Sequence, residues 1–577
     1  MKIIDAIPTE LLDSMNKFSS KLEWSRRLPI YEVNKWWARR YSGIIRLTLA
    51  FCELELETLN KISDFDSFVQ NIYFSPPKVK NKRLLDPFCG GGTIIVEGAK
   101  MGYKTYGIEI NKLPILTLES LKILPNIDFK YFEEKLIEVS KKLEQIWKTK
   151  CNNEHNATII HTFLVWKNKK GLKQIKFNLL KDDGYKMYFC EKCKQIFKQP
   201  KKIEACPVCG NYFDKKYEKI EYEKIEPYAI EYYCPICNAR DFKIVDEEDI
   251  SKFNINFRKN LGRIPKLNET NRLLKAKLYD FSQLLTPRQQ LTFYTFLNAF
   301  NTEPYKSIAK VIVSDCLRSC SLLAWYSPKY RKVVPGFVIK SYWLPAQPVE
   351  LNPLSFQISS GDNYIPLGRG TIFSTLRKLK RAREFIIEQK LPLDYKLYHG
   401  PAQDIIPKLN EKIDIVFTDP PYGDYQFYSD LSLLSLNAIN EIDPNSLKEL
   451  LEKEVVLRNK RVINRYKDQL YQIFYLINTK LSEDGKIIIT YHHHDISILY
   501  TILEVFKTLK INLQAVYPVI GESSGRLLKR RIYLDLLFIF GKQKRKPHYT
   551  LTNFYFTSHD MEVQKFIEKL INFYVVE

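Results

Sequence analysis

The chain of 577 residues contains no long uncharged apolar run. A helical membrane span is therefore excluded, since crossing a bilayer takes about 20 consecutive apolar residues. The N-terminus lacks the basic and apolar regions of a secretory leader, so the cytoplasm is the expected compartment. Internal repeats and low-complexity tracts are also missing, and with them the repeat architectures. Acidic residues are in short supply, 66 Asp plus Glu against 89 Lys plus Arg, a formal charge of +23. Such an excess points to a polyanionic partner, nucleic acid first, with a solvated basic surface as the plain alternative.

The length suffices for three or four domains and a large buried core. Six of the eleven cysteines form Cys-x-x-Cys pairs. In a large chain without a leader, that usage points to metal in a reducing compartment, not to a disulfide scaffold.

One stretch organises the chain, Leu84-Leu85-Asp86-Pro87-Phe88-Cys89-Gly90-Gly91-Gly92-Thr93. An apolar strand runs into three glycines, and a helix-forming segment, 94–100, follows. Glycine lets a backbone pass close to a bulky ligand and adopt positive φ, and a helix N-terminus gathers unpaired N–H groups. A second strand, 105–109, ends about twenty residues later in Glu109, where a ribose-binding carboxylate belongs. A nucleoside cofactor is implied. Far downstream the apolar segment 413–418 ends in Asp419-Pro420-Pro421-Tyr422-Gly423, whose two prolines hold an extended turn.

Together the two stretches resemble the amino-methyltransferases that use S-adenosylmethionine. That resemblance implies a Rossmann-like α/β fold with a seven-stranded sheet, a cofactor site at Asp86, Pro87, Phe88, Gly90, Gly92 and Glu109, and catalysis at Asp419, Pro420, Pro421 and Tyr422. Lys35-Trp36-Trp37-Ala38-Arg39-Arg40 ahead of Asp86 narrows the likeness to adenine-specific DNA methylases that carry a zinc ribbon and an N-terminal domain of uncharacterised function. Where that family normally has proline, this chain has Tyr41. Thr286 to Leu291 and Glu350-Leu351-Asn352-Pro353 extend the resemblance, as does the tyrosine-rich 425–430. In related methylases the position of Asp404 contacts the cofactor's adenine, although an acid in a first helical turn reads equally well as a dipole partner. On their own, the paired tryptophans read as core.

After Glu109 the sheet does not continue. A helix follows over 131–148 with Phe132, Leu136, Val139, Leu143 and Ile146 on one face, and the catalytic fold resumes only near Tyr395. An insertion of roughly 260 residues thus splits the cofactor domain. The expected divisions are 1–130 for the N-terminal segment and cofactor loop and 131–250 for a zinc-ribbon insertion. Then come 251–390, mainly helical and a candidate for target recognition, 391–545 for the catalytic half, and 546–577 as an appendage.

Cys190, Cys193, Cys206 and Cys209 place four thiolates on two turns, which suits tetrahedral zinc with no open position. Cys234 and Cys237 form a third pair with three fates: a second zinc with Cys151 and His155, replacement of one of the earlier pairs, or a vestige. Lysines at 167–170 and 198–202 suit phosphate contacts or a solvated surface. The run 308–325 reads as buried, Cys316 and Cys320 as core, and 376–383 as an amphipathic helix with a cationic face. His492-His493-His494 follows a buried strand whose alternating sides argue against a metal site.

The chemistry implied is methylation of the 6-amino group of adenine in DNA after the base has left the duplex. Asp419 and the Pro420 carbonyl would accept the amine hydrogens and Tyr422 would stack on the base. Methylases of the guanine 2-amino group in transfer RNA share similar stretches and form the second reading, and a non-catalytic DNA-binding subunit the third. No nuclease motif is present, so a restriction or defence partner would be another chain.

Overall fold

Parallel strands covered on both faces are apolar throughout, and that is the character of Ile413–Thr418 and of the 486–491 stretch. In the computed structural model they lie at the centre of one sheet. Described are all residues except 26–27, 38, 168–177, 183–185, 191, 200–204, 212–223, 337–340, 346, 356–357, 361–362, 366–368, 424–425, 493–495, 522–534, 551–559 and 576–577. His493, His494, Tyr425 and most of the two lysine runs are outside them.

The chain divides into two units, one of residues 1–122, 384–429 and 444–577, the other of 123–383 and 430–443. In the first, the sheet comprises β1 (Arg83–Asp86), β2 (Lys104–Glu109), β3 (Tyr395–His399), β4 (Ile413–Thr418), β5 (Leu481–Tyr491), β6 (Asn512–Val519), β7 (Asp535–Gly541) and β8 (His548–Tyr549). Their spatial order is β3-β2-β1-β4-β5-β7-β6-β8. β7 runs antiparallel to β5 and β6, while the other pairings are parallel. The result is a mixed α/β fold with a mostly parallel sheet. Eight strands stand where seven were expected, because the two-residue β8 adds to the edge beside β6.

Alternation along the strands feeds two cores. Leu85, Val416, Ile487 and Ile489 join one with Leu470, Phe474 and Phe506. Leu84, Ile415, Phe417 and Ile488 join the other with Leu11, Met15, Ile44 and Phe51. The helices Thr9–Ser25 and Ser42–Phe51 therefore cover one face of the sheet. Tyr41, in the position where the resembling family has proline, precedes the second helix with φ −63°, an angle proline also takes. Its amide donates to Gly521 O at 2.8 Å, a bond proline would forfeit. The C-terminal stretch expected as an appendage supplies Ile567 and Leu570 to the first core.

In the second unit, Asn156–Lys167 and Lys224–Cys234 lead a five-stranded sheet. The two motifs that extended the family likeness meet here. Thr286 caps Pro287–Ala299, and Glu350, on the edge strand Val349–Leu351, accepts from Arg288 Nε at 2.9 and 3.0 Å. Gln289 donates to Leu351 O at 3.0 Å. Arg288 and Glu350 are fully buried. Cys316 and Cys320 lie in the core as expected, and the run stays largely buried from Ile308 to Ala324, past the end of its helix, Tyr305–Leu317; only its last residue, Trp325, comes to the surface at the start of a hairpin strand. Among the described residues, no helix is long and apolar enough to cross a membrane.

Candidate active site

In open parallel sheets, ligands bind beyond the carboxyl ends of the strands where the order reverses, here between β1 and β4. A cavity lies there, lined by the turn 86–94 after β1, by Glu109 to Asn111 after β2, by 400–403 after β3 and by Asp419 to Tyr422 after β4. The two motifs, more than 300 residues apart in sequence, share it. A direct bond ties them: Thr418 Oγ1 donates to Asp86 Oδ1 at 2.7 Å.

The glycine turn needs its glycines. Gly90 and Gly92 have φ of +43° and +75°, and Gly92 caps the helix Thr93–Met101. A Cβ on Gly92 would strike the Leu118 side chain, and one on Gly90 would lie 2.7 Å from the Trp36 indole nitrogen. Glu109 Oε2 accepts from Gly90 N at 2.9 Å and its Oε1 from Asn111 N at 2.8 Å. Burial pushes its carboxyl up to about 7 against the pull of those two amides. Burial likewise pushes Asp86 up to about 8, with the Thr418 bond and the Phe88 amide opposing.

Asp419 is held from several sides. Arg40 clamps it in a two-pronged pair, Nη2 to Oδ1 at 2.8 Å and Nε to Oδ2 at 2.9 Å. Thr490 Oγ1 donates to Oδ1 at 2.7 Å, and the Tyr422 hydroxyl bonds the same oxygen. Arg40 is buried and also pairs with Asp535, which His492 bonds in turn. Burial would raise the Asp535 carboxyl, but the charges of Arg40 and His492 hold it below the usual carboxylate range.

Most of the expected site residues come together: Asp86, Pro87, Phe88, Gly90, Gly92, Glu109, Asp419, Pro420, Pro421 and Tyr422 all line the cavity. Asp404 does not. It sits in a first helical turn and pairs with Lys453, whereas its neighbours Ala402 and Gln403 are the residues at the wall. Tyr422 is only 7% exposed; its hydroxyl is committed to Asp419 and to Thr490 O, and its ring meets Tyr491 edge-on. The paired tryptophans are half-buried instead of core, because Trp36 lies over the glycine turn and stacks on Tyr428, centroids 5.3 Å apart.

Sequence reasoning passed over Arg40, Thr490, Tyr428 and Glu454. Arg40 had a signal in the 35–40 motif and Tyr428 in the tyrosine-rich 425–430, whereas Thr490 and Glu454 had none. Glu454 accepts from Ser429 N at 3.1 Å and Ser429 Oγ at 2.6 Å, which anchors the segment carrying Tyr428.

Cys190, Cys193, Cys206 and Cys209 form a cluster in the second unit, with all ligand atoms within 4.8 Å of one another. Cys190 and Cys209 sulfurs lie 3.7 Å apart, as do those of Cys193 and Cys206. Gly210, at φ +66°, closes the second turn with its amide on Cys206 O. Four converging thiols fit a structural zinc ion. Cys234 and Cys237 do not join them.

The mixed α/β fold with its mostly parallel sheet fits a methyltransferase-like domain. Residues 77–160 match the family described as UPF0020, RMKL-like, methyltransferase domain. No protein with a curated description matches the chain. A solved structure, the precorrin 8w decarboxylase of Methanobacterium thermoautotrophicum, is similar at 15% identity with a TM-score of 0.15. The likeness covers 29% of this chain and 64% of that one.

Proposed function

We propose that this protein transfers a methyl group from S-adenosylmethionine to the 6-amino group of adenine in DNA. The observation that carries the reading is the shared cavity, in which the glycine turn and the Asp419 turn are joined by the Thr418 to Asp86 bond.

The residues present fit the cofactor. The glycine turn 90–92 lines the cavity with backbone alone, and Glu109 is placed to accept from ribose hydroxyls. When bound, S-adenosylmethionine supplies an electrophilic methyl on a sulfonium. The chain must make the amine nucleophilic, since the nitrogen lone pair is delocalised into the base. Oδ1 of Asp419 meets three donors, while Oδ2 meets only Arg40 Nε among the described residues. Oδ2 therefore keeps accepting capacity for one amine hydrogen, and the Pro420 carbonyl takes the other. Arg40 is a positioning residue, orienting the carboxylate through both prongs. Tyr422 also acts through its hydroxyl, since a ring so enclosed offers little face to a base. An adenine in a duplex cannot reach this recessed turn, so the base must leave the stack. The charge of +23 supports a polyanionic substrate.

The deciding experiment incubates the full chain with tritiated S-adenosylmethionine and either duplex DNA or transfer RNA, followed by mass spectrometry of the digested nucleosides. Methyl on the adenine 6-amino group supports the proposal. Label on transfer RNA guanine alone transfers the case to RNA, and no label on any nucleic acid, with intact DNA binding, identifies a non-catalytic subunit.

A further inference from the structure

A second set of metal-ligating side chains lies in the five-stranded sheet. Residues 151–155 join Lys148–Lys150 to Asn156–Lys167, and 235–238 join Lys224–Cys234 to Ala239–Ile244. The two turns are neighbours because the long strands pair antiparallel, with Thr158 opposite Tyr233. Their tips bring together Cys151, His155, Cys234 and Cys237, whose ligand atoms all lie within 4.8 Å of one another.

The arrangement has the features of a metal clip. His155 Nδ1 is 3.2 Å from Cys237 Sγ, and Cys151 Sγ is 3.9 Å from the same sulfur. Backbone amides point at two of the sulfurs, Asn153 N at Cys151 and Cys237 N at Cys234, each at 3.4 Å. Each turn holds a residue in the left-handed region, Glu154 at φ 61° and Asn238 at φ 47°. A sulfur separation of 3.9 Å is far from the roughly 2.05 Å of a disulfide.

We propose that Cys151, His155, Cys234 and Cys237 bind a second zinc ion, separate from that of Cys190, Cys193, Cys206 and Cys209. Three thiolates and one imidazole are a donor set zinc favours, and they fill its tetrahedral shell. The ion has no open position and works as a staple between two adjacent hairpin turns. Of the three fates open to the Cys234 pair, this geometry selects the first. The inference is independent of the methyl-transfer reading.

The test is elemental analysis of the full chain purified without chelator. Wild type is expected to hold two zinc ions per chain. Cys151→Ala with His155→Ala should hold one, and Cys190→Ala with Cys193→Ala should also hold one. Cys237→His guards against misfolding, since it preserves a four-ligand set. Loaded with cobalt, this variant should retain two ions while its thiolate charge-transfer absorption falls as metal-bound thiolates drop from seven to six. One zinc ion in the wild type, two in the Cys151/His155 variant, or unchanged absorption in Cys237→His would overturn the proposal. So would a disulfide within the set in freshly purified protein.

Discussion

Asp419 accepts hydrogen bonds from Arg40, Tyr422 and Thr490, and these surroundings set what each neighbour should do. Removing its carboxylate, as in Asp419→Ala, is expected to lower kcat by about 10²–10³-fold, the range found for loss of a transition-state hydrogen-bond partner. Binding of DNA and cofactor should persist in gel-shift and calorimetric assays. Arg40→Lys retains the charge but not the planar fork. A misplaced acceptor of that kind should reduce kcat by about 10²-fold, leaving cofactor Kd unchanged. Tyr422→Phe separates two roles for one residue. If the hydroxyl positions Asp419, kcat falls while KM for DNA holds; if the ring is a stacking platform, the variant behaves as wild type.

Glu109 carries a pH prediction. Its folded carboxyl titrates at about 7, above the ordinary 4.5. A raised carboxyl contributes stability that is fully present below the unfolded value and lost as pH rises through the folded one. The same ionisation creates the better acceptor for ribose hydroxyls. Thermal stability should therefore decline between about pH 4.5 and 7 while cofactor affinity strengthens between about pH 6 and 8. Glu109→Gln should flatten the affinity trend in calorimetry and lessen the trend in melting curves, the remainder belonging to Asp86, whose carboxyl burial raises to about 8. A steep affinity profile retained in that variant would assign the titration elsewhere.

At the scale of elements, two local devices hold segments that sequence alone leaves separate. The helix after the glycine turn starts on Gly92, whose φ of +75° and contact with Leu118 leave no room for a side chain. Gly92→Ala should cost at least about 1–2 kcal/mol from the left-handed backbone alone, with the Leu118 clash added. Its cofactor affinity should suffer more than Gly91→Ala, because Gly91 has no positive φ. In the second unit, Thr286 and Arg288 of one helical cap and Glu350 of an edge strand form a closed polar knot. Breaking a buried pair from one side leaves an uncompensated charge, so Glu350→Ala should lose about 3–5 kcal/mol in urea unfolding. Replacing Arg288 and Glu350 together by Met and Leu should recover much of that loss. These stretches resemble methylase motifs, yet their observed work is packing.

At the scale of the molecule, net charge supports one more expectation. If phosphate contacts carry most DNA affinity, log Kd should rise linearly with log salt with a slope of about 0.9 per neutralised phosphate. Cofactor binding should be nearly salt-insensitive. Titration at several salt concentrations checks both, and a flat DNA profile would remove charge as the source of affinity.

Local chemistry written in consecutive residues was legible without coordinates. Glycines before a helix, prolines after a strand, apolar runs and Cys-x-x-Cys pairs each impose a conformation or a ligand set within a few residues. The strands around both motifs and the first cysteine cluster follow from them. What depends on contacts across hundreds of residues was not legible. The grip of Arg40 on Asp419 requires the N-terminal helices to cover one face of the sheet. The turning of Asp404 to Lys453, the seating of Trp36 over the glycine turn and the enclosure of Tyr422 depend likewise on which chain segment arrives beside them. The choice of Cys151 and His155 as companions of Cys234 is set by strand register, since antiparallel pairing alone brings two hairpin turns to the same end of a sheet. Sequence determined the kinds of groups this protein presents, because those are covalent facts; tertiary structure decided which of them meet, because burial and register select neighbours that chain spacing does not specify.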